Sequence, residues 1–472
     1  MGKLMTLQIA IACLSGLQQG YNLCFIGSLL AALQRSLEWC YPCAGGIVNV
    51  SHCNCPEKQL AVSIISIGAV VGGVSAGAVS DIIGRRPTLL ALALIFACGT
   101  GLMVSAGKES TELFYLGRLV SGIAVGGSGQ ASVYIAEIAP LGRRGALVSL
   151  NELALGIGCL AAALAAQLIG DERWRVTIGL GGVIAMLQVV GIACALQESP
   201  GWLLEQGQVA RAIRGAEAIG LDLGSTSVEC GGHRSEGKSF CSAAMAHRGA
   251  LLLALCCGLA HAATATNTVL YYSRNILRRS GFERALLATV FVDGLKLVGI
   301  AIGIMLVDKV GRRPLLTVGT LGIILGHLGL SVAFAMNSEE ADVTTRLALP
   351  SLCVFILAWN VSWSGLMLTV ASELLPQSLR GVGLGLVYSI YWLVSGAEEQ
   401  TIERLFDDYG ESATFGFYGL CSLGTLLFVR VFLPETRGTS LEASEYHYTF
   451  PDDIDDFGFS SGFSSDGSCA SL

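Results

Sequence analysis

Twelve stretches of this chain are each long and apolar enough to cross a lipid bilayer, and they fall into two sets of six. A helix rises 1.5 Å per residue, so crossing the hydrocarbon core takes about 20 apolar residues. Such runs lie at roughly 7–33, 60–80, 87–106, 113–135, 146–169 and 176–196. Six more lie at roughly 249–272, 285–307, 315–336, 347–370, 381–397 and 412–433. Hydrophobic residues make up 53% of the chain and charged ones 14%, where a soluble domain carries about 25% charged residues. The expected organisation is a first bundle over 1–196 with an outside loop at 36–58, then a linker over 197–248. A second bundle follows over 249–445 and an acidic tail over 446–472. That tail carries Asp452, Asp453, Asp455 and Asp456 among Ser, Gly and Phe and is expected to be disordered. The first run is too long for a cleavable signal, so it reads as a span that starts in the cytoplasm.

Basic residues mark cytoplasmic loops. Arg85, Arg86, Arg143, Arg144, Arg211, Arg214, Arg312, Arg313 and Arg380 gather on one side, which places both termini in the cytoplasm. Arg274, Arg278, Arg279 and Arg284 run against the rule after the seventh span. The first outside loop holds Asn49-Val50-Ser51, a glycosylation acceptor at Asn49. It also holds Cys40, Cys43, Cys53 and Cys55, disulfide candidates with three possible connectivities.

One pattern occurs twice. Asp81-Ile82-Ile83-Gly84-Arg85-Arg86-Pro87 follows the second span, and Asp308-Lys309-Val310-Gly311-Arg312-Arg313-Pro314 follows the eighth. Glu137 with Arg144 follows the fourth span, and Glu373 with Arg380 follows the tenth. The glycines permit tight turns, and Glu137 and Glu373 are the natural partners of the arginines. Ion pairs at these helix ends are expected to latch the two halves on the cytoplasmic side and to open it when they break.

These residues resemble the sugar porters of the major facilitator superfamily, which include the animal facilitative glucose transporters. The resemblance covers nearly all of residues 7–445. It rests on Gly20-Tyr21-Asn22, both Asp-x-x-Gly-Arg-Arg-Pro turns, Gly117-Arg118 and Tyr134-Ile135-Ala136-Glu137-Ile138-Ala139-Pro140. It rests further on Glu198-Ser199-Pro200 with Trp202, Asn267 with Tyr271-Tyr272, and Pro434-Glu435-Thr436-Arg437-Gly438. Leu147–Leu153 looks most like the branch with Glu in span five. The resemblance implies an all-α membrane protein of twelve transmembrane helices in two pseudo-symmetric six-helix bundles. It also implies alternating access to a central site, with Glu198 and Glu435 in the charge latch. A linker helix around Glu205–Ile219 would strap the halves together.

Depth along each helix places the polar residues. Glu152 lies roughly 12 Å into the membrane, and Lys296 and His261 roughly 18 Å. An ionisable residue there faces a wet cavity or a partner, since lipid costs it at least ~2.5 kcal/mol. In the family, spans five, seven and eight line the sugar pocket. Glu152 stands where Gln is usual, Lys296 where Asn is usual, and His261 with Ala262 where a Gln pair is usual. Asn267 and Trp392 match sugar contacts, and Tyr271-Tyr272 the outer gate. Asn22 joins the substrate set; proton-coupled relatives often carry Asp at that position, and Asn cannot titrate. Glu152, His261 and Asp293 can. Lys296 is expected to pair either with Glu152 from the other half or with Asp293 at i, i+3. Span ten lacks the family's prolines across Trp363–Leu368, so its inner gate is expected to flex through Gly365.

The expected function is passive transport of a hexose-type monosaccharide by a monomer, with no cofactor, no metal and no nucleic-acid partner. A proton-coupled sugar or polyol symporter is the first alternative, and a non-transporting sugar receptor the second. No nucleophile, metal or phosphate constellation suggests an enzyme. The plasma membrane is the expected location, with an internal membrane as the alternative.

Overall fold

The computed structural model describes residues 2–39, 55–140, 144–221, 244–279, 285–336 and 341–436. Asn49, Cys40, Cys43 and Cys53 lie outside the described residues, as do the side chains of Arg144, Tyr271, Tyr272, Asp308 and Arg380.

The described chain is helical, and ten of its helices are long and apolar enough to cross a membrane. Spans one to three are Lys3–Ser36, Pro56–Ile83 and Arg85–Ser105. Span four is Glu112–Gly127 continued by Gly129–Ile138, and spans five and six are Arg144–Ile169 and Trp174–Cys194. Span seven is split into Arg248–Ala262 and Thr266–Arg279. Spans eight to ten are Ala285–Val310, Arg312–Ala335 and Ala341–Leu374. The helix Gln377–Val431 turns back at Gly410 (φ +83°) and so supplies spans eleven and twelve. The two sets of six passes agree with the apolar periodicity.

Small residues let the helices touch backbone to backbone, as packing within a bilayer requires. A Cβ placed on Gly20 would sit 1.9 Å from the carbonyl oxygen of Leu155, and one on Gly72 would sit 2.0 Å from that of Ile123. These contacts clamp span one on span five and span two on span four. The outward faces stay apolar: Ile67, Val71 and Val74 on span two, and Val183, Leu187 and Val190 on span six, are half exposed or more. Three- and four-residue spacing gathers them into stripes that suit lipid.

The two repeated turns are built alike. Gly84 has φ +104° and Gly311 φ +99°, a region that favours glycine. The Glu198 carboxylate accepts the backbone N–H groups of Arg85 (2.9 Å) and Arg86 (3.2 Å). Glu435 accepts those of Arg312 (2.9 Å) and Arg313 (3.0 Å) in the same way. An anion at a helix N-terminus satisfies orphan donors and meets the positive end of the dipole. A Cβ at Gly84 would stand 2.4 Å from Glu198 Oε2, and at Gly311 2.9 Å from Glu435 Oε2. Gly84→Ala and Gly311→Ala are therefore each expected to cost about 1–3 kcal/mol in backbone strain and to push the capping carboxylate away. Thermal melting of the purified protein checks this. Gly365→Ala, whose Cβ meets nothing within 4 Å, is the control that should melt unchanged.

The expected latch takes a different form. Arg85 binds Glu137 (Nη2–Oε1 2.8 Å) and Asp81 (2.7 Å), and Arg312 binds Glu373 (3.1 Å). Thr436 Oγ1 also donates to Glu373, at 2.5 Å. The residue pairing is as expected, but each pair joins helices of one half instead of linking the halves. The reason is reach: each arginine starts its own span and meets the carboxylate at the foot of a neighbouring helix in the same bundle. The linker helix runs Val209–Ile219, after a separate turn at Pro200–Glu205. Its buried Ala216 and Ile219 pack with Met5, Ile9 and Tyr134, so the described contacts lie with the first half.

Candidate substrate site

Span seven breaks at mid-membrane, between His261 and Asn267. Ala265 there has φ +53°, a strained conformation for a residue with a Cβ. Backbone groups freed inside a membrane must find partners, and side chains supply them. Thr264 Oγ1 donates to the His261 carbonyl (2.7 Å) and accepts from Trp359 Nε1 (3.0 Å). His327 Nε2 lies 3.2 Å from the Thr264 carbonyl, and Thr425 Oγ1 donates to that of Ala260 (3.1 Å). Gly365, where span ten is expected to flex, lies inside the continuous helix Ala341–Leu374. The break in this structure falls in span seven, where Ala265 leaves the helical region.

The break turns polar groups towards one another. His261 is 5% exposed and stacks on Tyr391 (centroids 4.7 Å apart) and Trp363 (5.8 Å), beside Trp359 (5.2 Å). Its Nδ1 lies 2.6 Å from Met367 Sδ. Asn267 Nδ2 donates to Tyr391 Oη (2.6 Å), and Trp392 is fully buried beside Tyr391 and Tyr388. Gln19 joins from the first half: its Nε2 donates to Tyr388 Oη (2.9 Å), and its Oε1 accepts from Ser128 (2.6 Å). Gln19 and Ser128 also line a small cavity of about 10 Å³ with Ser15, Gln18, Phe96 and Gln188. Glu152 accepts from Ser364 at 3.5 Å. Asn267, Trp392, His261 and Glu152 thus belong to one contiguous patch where the halves meet.

Lys296 is 3% exposed and takes neither expected partner. It forms no ion pair within 4.0 Å to Glu152 or Asp293. It donates instead to Cys159 Sγ at 3.2 Å. Cys159 lies two helical turns beyond Glu152 on the same face of span five, so the contact still joins the halves. Residue type and depth identified Glu152 and Asp293, but the tight seam between spans five and eight put the thiol in front of the ammonium. At that seam a Cβ on Gly156 would stand 2.7 Å from Leu297.

Asn22 is also corrected. It is 1% exposed, and its Oδ1 accepts from Arg118 Nη1 at 2.6 Å. Arg118 is fully buried and donates further to the carbonyls of Ala61 (3.0 Å) and Val62 (3.3 Å). A buried guanidinium takes every acceptor in reach, so Asn22 is a partner of Arg118. Sequence reasoning missed Trp359, Tyr391, Tyr388, Gln19 and Cys159. Only their spacing on span eleven could have marked Tyr388, Tyr391 and Trp392 as one face.

The two halves also meet on the face opposite the repeated turns. Spans two and eleven meet through an ion pair of Lys58 with Glu403 and hydrogen bonds Ser63–Gln400 (2.6 Å) and Ser66–Glu399 (3.0 Å). Arg274, which ran against the charge rule, lies 3.7 Å from Asp171 and donates to the Ser28 carbonyl. Both bonds cross to the first half, which accounts for a basic residue on that side. Cys55, at the start of span two, is disulfide-bonded. Its partner lies outside the described residues, because the described cysteines besides Cys55 are free thiols.

Two six-helix bundles around a mid-membrane polar patch define a multi-pass membrane transporter of the major facilitator fold. Residues 8–448 match the family model "Sugar (and other) transporter", and the chain belongs to that family of sugar transporters. It is 31% identical to "Putative metabolite transport protein YwtG" of Bacillus subtilis, over 83% of this chain and 87% of that one. It is 30% identical to "Glucose transporter GlcP" of Staphylococcus epidermidis, over 83% and 89%. Among solved structures it resembles the partially occluded, inward-open xylose transporter XylE of E. coli. That likeness has a TM-score of 0.77 and 24% identity, and covers 93% of this chain and all of that one.

Proposed function

We propose that the chain carries a hexose-type monosaccharide through the plasma membrane by alternating access, as a passive uniporter with both termini cytoplasmic. The observation that carries this reading is the convergence of Glu152, His261, Asn267 and Trp392 at the break in span seven. Carboxylate and amide forks suit sugar hydroxyls, and an indole face suits the apolar face of a pyranose. The relatives' names, among them a glucose transporter and a "Major myo-inositol transporter IolT" of Bacillus subtilis, support a polyhydroxylated substrate. The arrangement of spans two and eleven supports a state closed on the Asn49 side. Passive transport is supported by Asn22, an amide that cannot titrate beside Arg118.

One observation favours a second reading, proton-coupled symport. Asp293 and Glu152 are two carboxylates near one ammonium, and Lys296 is ion-paired to neither. Uptake of labelled sugars into liposomes, with and without an inward proton gradient, decides between them. Uniport predicts the same equilibrium level in both conditions. Accumulation that a protonophore abolishes would establish symport instead. Trp392→Ala is expected to lower uptake at limiting sugar by about tenfold, as for one lost anchor of 1.4 kcal/mol. Unchanged uptake would remove Trp392 from the pocket.

A further inference from the structure

The sulfur of Cys159 holds a cation at the seam between spans five and eight, and a second thiol lies on the neighbouring span one. Cys159 is fully buried and accepts from Lys296 Nζ at 3.2 Å, while its own Sγ lies 3.3 Å from the Gly20 carbonyl. Cys24 lies on span one, one helical turn beyond Gly20, whose carbonyl the Cys159 sulfur faces. The two cysteines are neighbours because spans one and five touch backbone to backbone. A Cβ on Gly20 would stand 1.9 Å from Leu155 O, and one on Gly158 would stand 2.2 Å from Leu17 O. Helices this close bring facing Cβ atoms towards the separation a disulfide needs. The proposed sugar contacts include neither thiol.

We propose that Cys24 and Cys159 form a peroxide-sensitive thiol pair whose oxidation to a disulfide slows transport.

The chemistry balances with hydrogen peroxide as the oxidant. The reacting form of a cysteine is its thiolate, and a neighbouring cation is what a reactive site provides; Lys296 is that cation. The Cys159 sulfur attacks one peroxide oxygen, the O–O bond breaks, and the departing hydroxide takes a proton to leave as water. The product is a sulfenic acid. The Cys24 sulfur then attacks the Cys159 sulfur, the S–O bond breaks, and a second water leaves. Two thiols and one peroxide become one disulfide and two waters. Peroxide is neutral and about the size of water, so an opened polar site admits it.

The consequence reaches the other half. A disulfide sulfur is a poorer acceptor than a thiolate or thiol. The Lys296 ammonium then turns to Asp293 or Glu152, and the contact between spans five and eight rearranges. Spans one and five are already clamped together, so the bond strains little within the first half and acts through Lys296.

The test uses the full chain in liposomes, treated with hydrogen peroxide and quenched with N-ethylmaleimide. Mass spectrometry of the digest is expected to show a Cys24–Cys159 linked peptide, and sugar uptake to fall severalfold and to recover with dithiothreitol. Cys24→Ala is expected to transport normally and to keep its uptake under peroxide; Cys24→Ser serves if the alanine variant folds poorly. The linked peptide is read without any sugar, so it tests the thiol pair even if the transported substrate proves to be another. The proposal is overturned if exposed Cys98 is oxidised while no Cys24–Cys159 peptide forms. It is equally overturned if peroxide inhibits the wild type and the Cys24 variants alike.

Discussion

Lys296→Met is expected to lower sugar uptake per folded molecule by about tenfold or more, a factor that 1.4 kcal/mol already produces. Lys296 is 3% exposed and sits on span eight next to Asp293, with Glu152 across the seam. Methionine keeps the length and the apolar stem but removes the charge. Asp293 and Glu152 then share the seam with no cation between them. The contact to Cys159, which joins the halves at mid-membrane, is lost as well. The double variant Lys296→Met with Asp293→Asn separates the two effects. It restores the charge balance without the cross-half bond, so it should recover folded yield but not uptake. The measurement is initial uptake into liposomes, normalised to monodisperse protein. Wild-type rates in the single variant would mean that the ammonium has no part in transport.

Arg118→Leu is expected to be the most damaging change to stability. The side chain is fully buried in span four and binds Asn22 of span one and the Ala61 and Val62 carbonyls of span two. Each acceptor left bare in the interior costs about 1–3 kcal/mol. Little monodisperse protein should survive detergent extraction. Arg118→Lys, which keeps the charge but not the fork, should fall between. A leucine variant that melts at the wild-type temperature would show that the three helices hold together without the guanidinium.

Much of this protein was determined by its sequence alone. Apolar run length sets the number of passes, because a bilayer has one thickness and a helix one rise. The duplicated Asp-x-x-Gly-Arg-Arg-Pro turns set the two-fold plan, and Gly84 and Gly311 adopt the backbone angles that glycine there implies. Arg85 with Glu137 and Arg312 with Glu373 were readable as pairs, since both lie at helix ends at fixed offsets. Depth along each helix was readable too, since it follows from the rise per residue.

Which atoms meet was decided only by tertiary packing. Depth follows from rise along one helix, whereas a partner depends on the rotation of two helices against each other and on how near they come. Glycine seams fix those quantities, and they set Cys159 rather than a carboxylate before Lys296. They also turned Asn22 to Arg118 and kept each arginine pair within its own half. The break at Ala265 is the clearest case. No glycine or proline announces it, because its stability comes from Thr264, Trp359, His327 and Thr425, on side chains brought from spans seven, nine, ten and twelve.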